Sequence, residues 1–192
     1  MTYVALVRHG ETDWNVERRL QGSSDIPLND TGRAQALAAA RRLGDRRWDV
    51  LVSSPLSRAG ETAEIIGAHL GLERSATYPE LSERHFGEAE GATDYEVYDR
   101  WPYGVYPGME PYADVAERGL RILDELATLH RGASVVAVTH GGLIRSVVDA
   151  VHVQRAPRIP NASISTLRHD GHGWTVLTIN GFDVSGRATL GT

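Results

Sequence analysis

The sequence predicts an α/β fold, specifically a three-layer α/β/α sandwich whose mostly parallel sheet carries helices on both faces. Three short apolar runs read as buried strands, and each is followed by a segment with the apolar spacing of a helix. The chain alternates between the two without a linker or an internal repeat. With 192 residues, of which 41% are hydrophobic, it suits one domain with a substantial core. We therefore expect a single domain over residues 1–192.

The first strand is the apolar run at residues 4–7, which is too short for a helix and lacks polar alternation. It stops abruptly at Arg8, His9 and Gly10. Sheets of this kind bind their ligands at the carboxyl ends of the strands. A guanidinium group can fork onto two phosphate oxygens, and an imidazole can be a nucleophile near neutral pH. This strand end is the first candidate site.

The next segments supply a loop, a helix, a second strand and a second helix. A polar, turn-rich loop is expected at residues 15–29, and Thr31 is the predicted N-cap of a helix over residues 32–46. Residues 49–53 read as the second buried strand, and the helix that follows is expected to end near Leu70.

Residues 74–111 have weak periodicity and are rich in aromatic residues, glycine and proline. A long irregular segment in a compact domain is usually functional or mobile. We therefore expect a lid-like insertion over the site at about residues 74–111.

The C-terminal part of the chain supplies the remaining elements. They are a helix from about residue 115 that ends before Gly132, a buried strand at 134–138, a short helix up to about residue 151, and two strands near 163–167 and 174–179.

Composition excludes several classes of function. All 20 basic residues are arginine and there is no cysteine, so Schiff-base chemistry, thiol nucleophiles, disulfides and thiolate metal sites are excluded. The net charge of −5 weighs against nucleic acid or an anionic membrane as partner, and no apolar run approaches the ~20 residues of a membrane span. The N-terminus runs into the first strand without a signal peptide, which predicts a cytoplasmic protein.

The three buried strands, if they are parallel neighbours, bring two arginines and two histidines to one point. The first ends at Arg8 and His9, the second leads to Arg58, and the third leads to His140. Taken singly, these residues are more often a surface ion pair (Arg8 and His9), a solvated helix residue (Arg58) and a hydrogen-bonded turn residue (His140). Together they predict a pocket for a dianion, in which Gly141 lets the backbone come close to a phosphate.

Five motifs follow one another along nearly the whole chain. They are LVRHGET-x-WN at residues 6–15, SSPL-x-RA-x-x-TA at 53–63, L-x-E-x-x-FG-x-x-EG at 81–91, VTHGG-x-IR at 138–145 and NASI at 161–164. Each is weak alone, but in this order they resemble the histidine phosphatase superfamily, the phosphoglycerate-mutase-like enzymes.

The resemblance implies a phosphoric monoester hydrolase of the histidine acid phosphatase type, in which His9 is phosphorylated during turnover. It assigns proton transfer to Glu83, although Glu80, Glu88 and Glu90 compete for that role in the sequence. Catalysis is thus expected from Arg8, His9, Arg58, Glu83 and His140. The expected phosphate-binding residues are Arg8, Asn15, Gln21, Gly22, Arg58, His140 and Gly141.

The predicted function is metal-independent hydrolysis of a small phosphorylated metabolite, because the arginines supply the charge that Mg²⁺ supplies in other phosphoryl-transfer sites. No metal or cofactor is expected. The expected partner is a small-molecule phosphate ester rather than nucleic acid or a membrane, and a homodimer is left open.

Three alternatives stay open: a cofactor-dependent phosphoglycerate mutase, a non-catalytic module that binds phosphorylated ligands, and a phosphatase of phosphoproteins. The mutases that the chain resembles add basic residues between the general acid and the next helix. Here residues 92–114 carry one cation, Arg100, against five acids, which weighs against the mutase. Arg84 weighs the other way, because it could hold a substrate carboxylate.

Overall fold

The structure is a computed structural model and describes residues 1–186. Within them, seven strands form one sheet. The strands are β1 (Thr2–Arg8), β2 (Val50–Ser53), β3 (Arg74–Thr77), β4 (Ser134–Thr139), β5 (Ile164–His169), β6 (Trp174–Ile179) and β7 (Phe182–Asp183). The helices are α1 (Asp13–Val16), α2 (Asp30–Leu43), α3 (Ser57–Leu70), α4 (Asp94–Arg100), α5 (Tyr112–Leu129) and α6 (Gly141–Val151).

Strand β1 lies at the centre of the sheet, whose strand order is β3-β2-β4-β1-β5-β6-β7. It pairs in parallel with β4, which pairs in parallel with β2, and β2 pairs in parallel with β3. The other half of the sheet is antiparallel, from β5 through β6 to β7. The carboxyl ends of β1, β2 and β4 therefore lie side by side, as the sequence predicts.

The core consists of two apolar layers, one on each face of the sheet. Side chains alternate along β1, so that Val4 and Leu6 pack with α5 and α6, whereas Ala5 and Val7 pack with α2 and α3. All four are fully buried. Helices therefore cover both faces of β1, and the predicted three-layer α/β fold with a mostly parallel sheet is confirmed. Among residues 1–186, none of the helices combines the length and apolar composition that crossing a bilayer requires.

The boundaries of α2 differ from the prediction. The helix begins at Asp30, and its N-cap is Asn29, whose side chain accepts a hydrogen bond from the Gly32 amide at 2.8 Å. The prediction of Thr31 as the cap was wrong, because asparagine caps as well as threonine and lies where the chain is still extended. The helix also ends at Leu43, three residues before the predicted Arg46.

The region from residue 74 onward contains more regular structure than expected. Residues 74–77 form the edge strand β3, and α4 lies within the segment expected to be irregular. Short 3₁₀ turns at Pro79–Leu81 and Gly87–Ala89 separate the two. These short, polar elements give too little periodicity to be recognised in the sequence. Two residues of the irregular stretch that remains, Glu83 and Phe86, line a cavity together with Arg8 and His9 at the carboxyl end of β1.

Candidate active site

Arg8 and His9 leave the sheet at the carboxyl end of β1. One Nη of Arg8 donates a hydrogen bond to the Ile159 carbonyl at 2.7 Å, which fixes the guanidinium group. Nδ1 of His9 lies 2.6 Å from the Gly10 carbonyl oxygen. Because a carbonyl oxygen can only accept, Nδ1 carries the ring proton and Nε2 keeps its lone pair. The backbone therefore selects the tautomer that a nucleophilic histidine requires.

The surroundings of His9 keep the ring neutral. Burial lowers its pKa well below 6.5, and the charges of Arg8 and Arg58 lower it further. The backbone that follows is fixed by Thr62 of α3, whose hydroxyl accepts from the Gly10 amide at 3.1 Å. A buried imidazole beside two guanidinium groups thus remains an unprotonated base through the neutral range.

Arg58 comes from the first turn of α3 and is completely buried. Its two Nη atoms donate to the Ser24 and Gly22 carbonyls at 2.7 and 2.9 Å, whereas its Nε has no protein partner. The Nε of Arg8 likewise has none, and burial lowers the pKa of Arg8 to about 10. Two cations are therefore held in place through some of their donors while other donors stay unused.

His140 lies at the N-terminus of α6, behind His9, with the two ring centroids 5.1 Å apart. Its Nε2 is 2.9 Å from the Ser54 hydroxyl, and that oxygen already accepts from the Leu56 amide. The Ser54 hydrogen is thus free to go to Nε2, which leaves a proton on Nδ1, a buried atom without a protein partner. Burial, followed by Arg58, lowers the pKa of His140 well below 6.5, so it offers a neutral N–H donor.

Glu83 enters from the segment after β3. Its Oε1 accepts from the Arg84 amide at 2.8 Å, and its Oε2 accepts from the Gly142 amide at 3.2 Å. The second bond joins the carboxylate to the first turn of α6, directly after His140.

A partly buried ion pair holds the loop that carries Glu83. Arg118 of α5 pairs with Glu110 at 2.7 Å and donates to the carbonyls of Glu80, Ser82 and Glu83 at 2.7 to 3.1 Å. One arginine on a core helix thus fixes the backbone of the loop on which the carboxylate depends.

The competing carboxylates are occupied elsewhere. Glu90 accepts hydrogen bonds from Ser23, Ser24 and the Phe86 amide, and although burial would raise its pKa, these bonds lower it overall. Glu88 is exposed. Glu90 therefore joins two loops, and of the four candidate carboxylates Glu83 is the one that lines the cavity beside His9, whereas Glu80, Glu88 and Glu90 do not.

A cavity of about 120 Å³ lies at this edge of the sheet within the described residues. It is smaller than the ~300–1,000 Å³ of sites for larger ligands, which suits one small anionic group. Its lining residues are Arg8, His9, Asn15, Arg19, Leu20, Gln21, Arg58, Glu83 and Phe86.

Six of the nine predicted site residues line this cavity, and two of them, Asn15 and Gln21, carry amide side chains. The oxygens of Asn15 and Gln21 both accept from Thr12, at 3.2 and 3.0 Å, which leaves their NH₂ groups as donors.

The other three predicted residues, Gly22, His140 and Gly141, lie around the cavity. Gly22 provides a carbonyl to Arg58, and a Cβ at Gly141 would lie 3.3 Å from Arg8 Nε. Gly141 thus lets the guanidinium group of Arg8 pack against the start of α6.

Several residues at the site were not predicted from the sequence. Arg19, Leu20 and Phe86 line the cavity, whereas Ser54 and Arg118 orient the groups around it. Ser54 stands in a recognised motif and could have been found from it. Arg118 gives no local signal, because it is an ordinary polar position on an amphipathic helix.

Comparison with known proteins places this site in a family. The model of the histidine phosphatase superfamily (branch 1) matches residues 4–181. The chain belongs to this superfamily.

Relatives in the histidine phosphatase superfamily include an uncharacterized phosphatase, PhoE, of Bacillus subtilis, which is 36% identical over 94% of this chain and 95% of its own length. A metal-independent phosphoserine phosphatase of Arabidopsis thaliana is 33% identical over 92% of this chain and 80% of its own. Among solved structures, a mycobacterial glucosyl-3-phosphoglycerate phosphatase complexed with VO₃ has a TM-score of 0.85, with 31% identity over 93% and 98% of the two chains. Phosphoglycerate mutase-like proteins also occur among the relatives.

Proposed function

We propose that this protein is a metal-independent phosphomonoesterase that hydrolyses a small phosphorylated metabolite through a phosphohistidine at His9. The observation that carries the proposal is the tautomer of His9, in which the bond to the Gly10 carbonyl leaves Nε2 unprotonated. Two buried guanidinium groups flank that imidazole. The family model that matches this chain describes branch 1 of the superfamily. We therefore propose a phosphatase of branch 1 rather than one of the histidine acid phosphatase type.

In the first step, the lone pair of His9 Nε2 forms a bond to phosphorus while the bond from phosphorus to the leaving oxygen breaks. The proton of the Glu83 carboxyl group goes to that oxygen, so an alcohol departs. The equatorial oxygens take hydrogen bonds from Arg8 and Arg58, which line the cavity, and from His140 beside His9. Positioning and electrostatic stabilisation provide most of the acceleration in such transfers.

In the second step, the Glu83 carboxylate takes a proton from water as the water oxygen bonds to phosphorus. The bond from phosphorus to His9 Nε2 breaks, and inorganic phosphate leaves with the enzyme in its starting state. Glu83 can serve both steps because its backbone bonds hold it on one side of the cavity.

Metal independence follows from the charges that the chain itself provides. Arg8 and Arg58 neutralise the phosphoryl oxygens in the way that a divalent cation does elsewhere. The Arabidopsis relative, a metal-independent phosphoserine phosphatase, supports this part of the proposal. Phosphate release should therefore survive EDTA, and vanadate should inhibit competitively, since the mycobacterial structure holds VO₃.

The test is to trap the phosphoenzyme. Rapid quench with ³²P-labelled substrate should label the parent protein in an acid-labile, alkali-stable bond, and His9→Ala should carry no label. His69→Ala is the matched control, because His69 is an exposed histidine on α3. Equal labelling of the parent and His9→Ala would disprove the assignment. So would loss of activity in EDTA that zinc or magnesium restores.

A further inference from the structure

A second, larger cavity adjoins the one that contains His9. Its volume is about 470 Å³, and it shares Arg8, Asn15, Arg19 and Leu20 with the first cavity. The residues that line it in addition are Arg18, Asp94 and Arg158. A phosphate ester bound at His9 would thus have room for its leaving group beside two further arginines.

Two hydrogen bonds fix the backbone at Arg158 and at the residue that follows it. Its own carbonyl accepts from the Asn180 side chain at 2.9 Å, and the next carbonyl, of Ile159, accepts from Arg8 at 2.7 Å. The charge of Arg158 also lowers the pKa of Arg8, after the larger effect of burial. The side chain therefore starts from a rigid point next to the phosphate-binding guanidinium group.

Arg18, which also lines this cavity, is held in the left-handed backbone conformation, with φ of 57°. Such a conformation is uncommon and unfavourable for a residue other than glycine. Two backbone bonds maintain it, from the Arg18 amide to the Asn15 carbonyl and from the Asp94 amide to the Arg18 carbonyl.

The charges in this cavity are not balanced. Within residues 1–186, the guanidinium groups of Arg18 and Arg158 have neither an ion pair nor a hydrogen bond, whereas Arg19 pairs with Glu17 and Glu96. Asp94 is the one carboxylate among the lining residues. Two unpaired cations thus face a space that continues from the phosphate pocket.

We propose that Arg18 and Arg158 form a second anion subsite, which selects phosphate esters whose leaving group carries its own anionic group, a carboxylate or a second phosphate. The inference rests on the proposed function and defines its substrate class. Two arginines on separate loops bracket the leaving group, while Arg8 and Arg58 hold the phosphate that is transferred.

The experiment compares three substrates of similar size: glycerol 3-phosphate, 3-phosphoglycerate and 1,3-propanediol bisphosphate. The parent should have a lower KM for 3-phosphoglycerate and for 1,3-propanediol bisphosphate than for glycerol 3-phosphate. Which of the two anionic substrates has the lower KM shows whether the subsite prefers a carboxylate or a phosphate. In Arg18→Gln/Arg158→Gln, the KM for these anionic substrates should rise about tenfold, the scale of a hydrogen bond between charged groups. The kcat values and the KM for glycerol 3-phosphate should stay within about twofold of the parent, since exposed charges act weakly at a distance.

Two further variants sharpen the comparison. Arg155→Gln is the matched control, because Arg155 is an exposed arginine of the same loop that lines a different cavity. It should leave all three KM values unchanged. Asp94→Asn removes the opposing charge and should lower the KM for 3-phosphoglycerate about twofold.

The outcomes separate this inference from the proposed function. If the parent hydrolyses p-nitrophenyl phosphate and labels at His9 but shows no preference for the anionic substrates, the subsite is wrong and the phosphatase stands. A tenfold change in Arg155→Gln, or an equal change for glycerol 3-phosphate in the double variant, also overturns the subsite. A parent that releases no phosphate from any of these esters overturns both.

Discussion

Gly142→Ala should displace the carboxylate of Glu83 without unfolding the protein. Gly142 is the second residue of α6, and a Cβ there would overlap Glu83 Oε1 and lie 3.2 Å from its Cδ. The Glu83 side chain would have to swing away and lose the hydrogen bond from the Gly142 amide. Alanine suits a helix better than glycine by about 0.5–1 kcal/mol, which offsets much of the lost bond.

The predicted loss of activity depends on the leaving group. With an alkyl phosphate, whose alkoxide needs a proton, kcat/KM should fall roughly 10²- to 10⁴-fold, the usual contribution of a general acid. That corresponds to about 3–5 kcal/mol of transition-state stabilisation. With p-nitrophenyl phosphate the loss should be under about tenfold, because nitrophenolate leaves without protonation.

Three comparisons check this reasoning. Glu83→Gln should show the same dependence on the leaving group, and Gly142→Ala/Glu83→Gln should be no worse than either single variant, since both remove one function. Gly173→Ala is the matched glycine control, because a Cβ there meets no atom within 4 Å. Parent-like hydrolysis of an alkyl phosphate by Gly142→Ala would refute the steric argument. Equal losses for alkyl and aryl esters would refute the role of Glu83.

Three other predictions follow from the same geometry. Burial, and then the neighbouring guanidinium groups, depress the pKa of His9 and His140, so below pH 6.5 the unfolded chain takes up protons that the folded protein does not. The free energy of unfolding should therefore decrease as the pH is lowered, by up to about 1.4 kcal/mol per pH unit for each histidine. Urea titrations at pH 7.5 and 5.5 measure this decrease. A parent protein with the same stability at both pH values would contradict it. Arg118→Met should lower kcat for alkyl phosphates more than for p-nitrophenyl phosphate, because it frees the loop of Glu83; the exposed Arg121→Met is the control, and equal losses for both esters would count against positioning. With 3-phosphoglycerate and a trace of 2,3-bisphosphoglycerate, phosphate release should outpace isomerisation, because Arg100 is the sole cation of residues 92–114; rapid isomerisation with little free phosphate would instead show a mutase.

The central half of the fold and the core of the site could be predicted because both follow from local signals. An apolar run that is too short for a helix identifies β1, β2 and β4, and the residue after each run lies at the carboxyl edge by geometry alone. For this reason the sequence alone places Arg8, His9 and His140 together. The edge strands β3 and β7 gave no such signal, because they are short and lie at the side of the sheet where few apolar contacts are needed.

The rest of the site depends on contacts between distant parts of the chain. Arg118 reaches Glu83 across 35 residues, and Asn161 reaches the Gly10 carbonyl across 151. Nothing in the local sequence of α5 indicates the partner of Arg118, and the NASI motif at residues 161–164 singles out Asn161 without indicating its partner. The same holds for Arg158, which in the sequence is one of 20 arginines and stands beside the site only through the fold.

In the proposed function, the affinity of this pocket for a dianion depends as much on the carboxylates that are kept away as on the cations that are present. Within the described residues, neither Arg8 nor Arg58 has a carboxylate within 4.0 Å; their Nη atoms donate to backbone carbonyls instead. Glu83, the one acid that lines the cavity, is held by amide N–H groups of the backbone. A direct ion pair would stabilise the folded protein, because buried donors without partners cost about 1–3 kcal/mol each. It would also neutralise the charge that the phosphate must meet and pull the general acid out of line with the leaving group. Fixing Arg8, Arg58 and Glu83 through the main chain therefore lets two cations and a carboxylate share one small cavity without cancelling one another.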